Sequence, residues 1–172
     1  MGNIERYKKP KSSLPGADIV GLYQQTDDTF FLFGEIKTSS HSEYPPSVMY
    51  GEHGLKKQLE DLCENKDITD KLVKYLAYRL KNSELWSLYS NAFSNYMHSD
   101  GKKVHILGVL VRDVEPRKDD LAARTKKLER FVVDGQSIEL VGIYVPIGSI
   151  ERFPHIVSKE RERRSASNVE KS

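Results

Sequence analysis

Cysteine occurs once in the 172 residues, as Cys63, so no disulfide can form within the chain. Long apolar runs are missing: nothing approaches the stretch of about 20 residues that spans a bilayer. The opening Met1-Gly2-Asn3 lacks the apolar core of a secretory signal. An excess of either charge is missing too. The 27 basic and 25 acidic residues leave a net +2, which says little about partners, although a local patch stays possible because field depends on arrangement. No phosphate-cradling G-x-x-x-x-G-K-[ST] run is present, so an ATP-driven step would have to come from another protein. No internal repeat or sustained heptad pattern appears. These absences lead us to expect a soluble, cytoplasmic chain of one domain, large enough to bury a core without covalent staples.

What is present divides into segments. Residues 1–14 carry Arg6, Lys8, Lys9 and Lys11 against the single acid Glu5 and read as a basic lead-in. A central domain is expected over 15–157. Two β-type runs, Ala17–Tyr23 and Thr29–Lys37, are separated by a polar break, the pattern of a hairpin. The second run is apolar on both faces for most of its length, which predicts a strand covered on both sides. After a turn-rich loop over 38–51, helical spacing takes over. Leu55/Leu59/Leu62, Ile68/Leu72/Leu76 and Leu85/Leu88/Tyr89/Ala92/Phe93/Tyr96 outline three helices. Val104–Val111 and Ile138–Val145 are further strands, with a charged amphipathic helix expected over Asp119–Arg130. Residues 158–172 are polar, show no apolar period and are expected to be disordered. This order predicts an α/β domain in which the last two strands lie parallel and adjacent.

The chemistry concentrates on the predicted hairpin. Glu35 and Lys37 stand two apart on one strand and so leave the same face, with Ile36 pointing the other way into packing. A tight turn at Asp27-Asp28 would set Asp18 opposite Lys37 and diagonal to Glu35. Charged groups among Phe31, Leu32 and Phe33 are costly to bury without compensation. A hard divalent cation, Mg²⁺ or Mn²⁺, accepts oxygen ligands of the kind that Asp18, Glu35 and the Ile36 carbonyl would supply. Such an ion activates water and offsets charge on a phosphate, with Lys37 placed to assist. The plain alternative is a surface ion pair at a strand end. His41 and His53 show no metal-ligand spacing with another His or Cys, which argues against zinc. His53 and Tyr50 read as solvated loop residues, Cys63 as a small core residue, and Trp86 as packed on the third helix.

Gly16-Ala17-Asp18-Ile19-Val20-Gly21 followed by Phe33-Gly34-Glu35-Ile36-Lys37-Thr38-Ser39 resembles the PD-(D/E)XK nuclease superfamily. The resemblance implies a restriction-endonuclease-like mixed sheet, with a catalytic hairpin flanked by helices, and metal-dependent hydrolysis of DNA. It also implies a polar contact to the site from the following helix, where Gln58 stands. The Pro45–Gly51 loop, Gln58-Leu59-Glu60 and the Leu107–Arg112 strand are further similar to the HamA family of nuclease subunits from Hachiman anti-phage systems. That likeness implies a helicase partner and a role in antiviral defence. One departure is that only about a dozen residues precede the Asp18 strand, where such nucleases place a helix that often bears another acid. A partner, the basic lead-in or a second copy of the chain would then cover that flank. Two other readings stand beside this one: a nuclease fold kept as a DNA- or partner-binding module without cleavage, and an unrelated α/β structural subunit.

Overall fold

Alternation of side chains along the strands decides the architecture. The computed structural model describes residues 16–26, 28–121, 128–130, 132 and 135–169, with side chains described as far as Arg163. The basic lead-in and residues 122–127 of the expected charged helix lie outside these.

Strands β1 (Ile19–Gln25) and β2 (Asp28–Ser39) form an antiparallel hairpin. Three helices follow: α1 (Leu55–Glu64), α2 (Lys66–Leu80) and α3 (Trp86–His98). Strands β3 (Val104–Arg112) and β4 (Ser137–Tyr144) then add in parallel, giving a four-stranded mixed sheet in the order β1-β2-β3-β4. A last helix, α4, runs over Ser149–Val169. The chain is therefore mixed α/β, and the expected parallel adjacency of β3 and β4 is present. None of the helices among the described residues is long and apolar enough to cross a membrane.

The core lies on one face of the sheet. Phe31 and Phe33 of β2, Ile106 and Leu110 of β3, and Leu55 and Leu59 of α1 are fully buried there. Burial of each such side chain stabilises the fold by roughly 1.5–3 kcal/mol. Gly108 permits α1 to approach: a Cβ there would stand 2.6 Å from Leu59 Cδ1 and 2.5 Å from Leu140 Cδ2. Helix α3 crosses the first half of β2, where Ala92 and Tyr96 pack and Tyr96 meets Phe31 edge-on, ring centroids 5.6 Å apart.

The opposite face differs from expectation. Ile36 points to that side and is 40% exposed, and Phe30 and Leu32 are only half-buried. Ile36 is therefore not packed inward. Apolar residues on both faces of β2 predict cover on both sides, but α1 and α3 pack only on the Phe31/Phe33 face.

Two other corrections concern α3 and the tail. The predicted apolar stripe of α3 is wider than the buried one, for Leu85 and Phe93 stay 48% and 40% exposed. The segment from residue 158, expected to be disordered, continues α4 as far as Val169. Lysine, glutamate and arginine lose little rotamer freedom in a helix, and Glu160 pairs with Arg163 one turn on at 2.8 Å. The border drawn at 157 therefore falls inside a helix.

Candidate functional site

The hairpin register decides which side chains meet. The ladder ends with Ile19 opposite Gly34 and closes through Gln25 opposite Asp28, so the turn includes Thr26 and not Asp28. Thr26 takes a positive φ of 52°, an uncommon conformation for a β-branched residue. One step beyond the ladder, Asp18 consequently faces Glu35, not Lys37 as a turn at Asp27-Asp28 would give. The backbone locks this arrangement. Asp18 N–H donates to the Gly34 carbonyl at 2.9 Å, and Ile36 N–H donates to Asp18 Oδ2 at 3.0 Å. The Ile36 carbonyl lies on the same edge as its N–H, so it faces the gap just past the start of β1.

Glu35 is the anomalous member. It is 5% exposed, at the end of the buried row Phe31, Phe33, Glu35, and Lys37 Nζ is its ion-pair partner at 3.8 Å. Burial pushes the Glu35 carboxyl up to about 7. A hydrogen bond to Asp18 and the negative charge there push the same way, and Lys37 only partly offsets them. Near neutral pH, a protonated Glu35 thus donates to Asp18. Desolvation and a like charge alongside both favour the neutral form of a carboxyl group. Asp18 itself is exposed, so the pair opens to solvent on one side.

This donor set fits a hard divalent cation. Asp18 and Glu35 offer carboxylate oxygens, the Ile36 carbonyl faces the same gap, and the open side admits water. Mg²⁺ often binds through only one or two carboxylates and keeps several waters. No group of three or more His, Cys, Asp or Glu positioned for a metal occurs among the described residues, so the site rests on two acids. Among the described residues, no hydrogen bond joins Gln58 Oε1 to the site. Gln58 lies on α1, half-buried, and its Oε1 is buried with no hydrogen-bond partner. An orphaned buried carbonyl oxygen is costly unless a donor or cation reaches it. His53 is exposed on the loop before α1, and His41 acts through its carbonyl, described next. Burial pushes the Cys63 thiol up to about 12, which leaves it unreactive.

Sequence reading missed a second buried polar group. Arg112, at the end of β3, is fully buried; it pairs with Asp120 and donates to the carbonyls of His41 and Glu43. Tyr144 completes the group by donating to Asp120 Oδ2 at 2.7 Å. These bonds tie the loop leaving β2, and so the end of the strand bearing Glu35 and Lys37, to the end of β3. Next to it, Asp113 accepts from Gly148 N–H and Ile150 N–H at the start of α4. Burial pushes its carboxyl up, but these donors and the Ser40 hydroxyl hold it below the usual range. The signal available in the sequence was a basic and an acidic residue closing an apolar strand, Val111-Arg112-Asp113. A cleft of about 610 Å³ opens at these strand ends, lined by Ser40, Tyr44, Asp113 and Arg117 among others. It includes none of Asp18, Glu35 and Lys37. No family model, curated protein or solved structure matches the chain.

Proposed function

We propose that the chain is a metal-dependent deoxyribonuclease whose reaction centre is Asp18, Glu35 and Lys37 on a restriction-endonuclease-like sheet. The observation that carries the reading is the cross-strand meeting of Asp18 with a buried Glu35, with Lys37 beside them on the same face. An ionised pair of carboxylates costs free energy there, and a divalent cation is the partner that removes the cost. Mg²⁺ or Mn²⁺ held by Asp18, Glu35 and the Ile36 carbonyl would supply Lewis-acid activation of water and of the phosphodiester. The remaining work belongs to the chain. The Ile36 N–H fixes the Asp18 carboxylate. Lys37, tethered by Glu35, presents its ammonium where negative charge builds on the phosphate and where an attacking water would sit.

DNA is the proposed substrate, and a helicase-containing anti-phage assembly is the proposed setting; both rest on the resemblance of the Asp18 and Glu35-Ile36-Lys37 segments to such nucleases. The test is incubation of supercoiled plasmid with the purified chain and Mg²⁺ or Mn²⁺, with and without a chelator. Expected is nicking or degradation that the chelator stops and that Glu35→Gln loses. Absence of cleavage with either metal, with DNA binding retained, would leave a binding module in place of an enzyme.

A further inference from the structure

On the face of the sheet turned away from Glu35 and Lys37, two residues of β4 close on one histidine of β3. Strand register dictates the meeting. His105 stands directly opposite Ser137, and Glu139 follows two residues later on β4, so the three side chains leave the same face. Ser137 Oγ lies 2.6 Å from His105 Nδ1, and Glu139 Oε2 lies 3.4 Å from Nε2. Phe33 and Glu35 pair with Ile106 and Gly108 and not with His105, which alternation sends the other way.

Chemistry assigns the roles. A carboxylate only accepts hydrogen bonds, so Glu139 beside Nε2 favours the tautomer that carries its proton there. Nδ1 then keeps its lone pair and faces the Ser137 hydroxyl, the arrangement in which an imidazole takes a serine's proton. The base is held in place. His105 is 8% exposed, and Tyr23 of β1 stacks on its ring with centroids 4.2 Å apart and planes 12° apart. Its cross-strand neighbour on β2 is the uncharged Leu32. The nucleophile's side is open, for Ser137 is exposed at the start of β4, an edge strand. An accessible hydroxyl, a buried base and an acid that orients the base are the parts of nucleophilic catalysis. The two ring nitrogens exchange the places they hold in serine proteases, which leaves the proton transfers unaltered.

We propose that Ser137 is a nucleophile served by His105 as general base and positioned through Glu139, a second reactive site that takes activated acyl donors such as thioesters or aryl esters. Ser137 Oγ bonds to the acyl carbon while its proton passes to Nδ1. The bond to the leaving group then breaks, and that group departs with the proton from Nδ1. Water attacks the acyl-serine by the same route and releases the carboxylic acid. An exposed hydroxyl excludes little water, which suits donors with good leaving groups rather than amides. The site stands independently of the nuclease reading, because it lies on the opposite face of the sheet.

A fluorophosphonate probes the first step: an Oγ–P bond forms, the P–F bond breaks and fluoride leaves. The full chain is incubated with it, and adducts are located by mass spectrometry of its peptides. Expected is modification of Ser137 about tenfold or more faster than of the exposed Ser42 and Ser83. His105→Gln should slow it about 10²-fold or more, the usual contribution of a general base. Because His105 is buried, Glu139→Gln supplies a variant that keeps the fold: the Glu139 side chain is 57% exposed. Its amide can donate as well as accept, so it no longer selects the tautomer. Labelling should fall about tenfold or more with an unchanged circular dichroism melt, and Glu139→Asp should recover part of it. Wild type should also release p-nitrophenolate from p-nitrophenyl acetate faster than Ser137→Ala does. Four results overturn the proposal: no adduct at Ser137, an adduct no faster than at the other two serines, equal labelling in wild type and Glu139→Gln, or equal ester cleavage by wild type and Ser137→Ala.

Discussion

Glu35 is the residue on which most turns. Its carboxyl stands at about 7 in the fold against 4.5 in an unfolded chain. The folded state therefore holds its proton longer than the unfolded state does. Stability that the protonated form contributes is present at pH 4.5, declines as pH rises toward 7, and is gone above it. The whole effect is at most about 3 kcal/mol at about 1.4 kcal/mol for each factor of ten in proton affinity. Chemical denaturation in chelator from pH 4.5 to 8 should show this decline, and Glu35→Gln should flatten it. A wild-type profile that instead rises over that range would contradict the assignment. Above pH 7, added Mg²⁺ should raise the melting temperature of the wild type and not of Glu35→Gln. For cleavage, Lys37→Ala is expected to cost about 10²–10³-fold in rate, the usual loss on removing one group that stabilises a transition-state anion. Because Lys37 is partly exposed, its loss should leave the fold intact; full activity in a preparation cleared of contaminating nuclease would exclude it from the reaction.

The elements position that residue through close backbone contacts. Gly34 precedes Glu35, and a Cβ there would lie 2.3 Å from the Leu107 carbonyl oxygen of β3. Gly34→Ala must push β2 away from β3, with an expected loss of about 1–3 kcal/mol and a fall in cleavage larger than stability alone explains. Urea titration beside a rate assay separates the two. Removing one partner of the buried Arg112–Asp120 pair should be harsher, about 3–5 kcal/mol for Asp120→Ala, because an unpaired buried charge is left behind. Most of these elements were legible in advance. The 3.6-residue spacing of Leu55, Leu59 and Leu62 and its equivalents marked α1 to α3, and the apolar runs marked all four strands. The juxtaposition of Asp18, Glu35 and Lys37 was legible as a face but not as a register. Asp27-Asp28 has better turn chemistry than Thr26, and only the assembled hairpin places a threonine at positive φ. Ile36 was misjudged because alternation tells which side a residue takes and not whether anything covers that side. Arg112 escaped because a charge at the end of an apolar run usually marks where a strand reaches water.

At the scale of the whole molecule, charge sets the expectation for DNA. Neutralised phosphates govern non-specific affinity and its salt dependence, and 27 basic residues nearly matched by 25 acidic ones give little net attraction to them unless the cations gather on one face. The isolated chain should bind duplex DNA no more tightly than about 10⁻⁴–10⁻⁶ M at physiological salt, with a shallow dependence on salt. A salt titration yielding nanomolar affinity for the chain alone, with rapid cleavage, would remove the need for a partner. The hairpin itself bears on how the molecule comes into being. Eighteen residues separate Asp18 from Ile36, and a single turn joins them, whereas β2 finds β3 only after α1, α2 and α3 have been laid between them. Hairpins close in roughly 1–10 μs, far sooner than long-range parallel pairing. The two carboxyl groups therefore come face to face early, before the core that desolvates Glu35 has closed over it. In kinetic terms their mutual repulsion weighs on the folding limb, so proton or cation uptake would act as a pacemaker of refolding as well as a ballast of the finished fold.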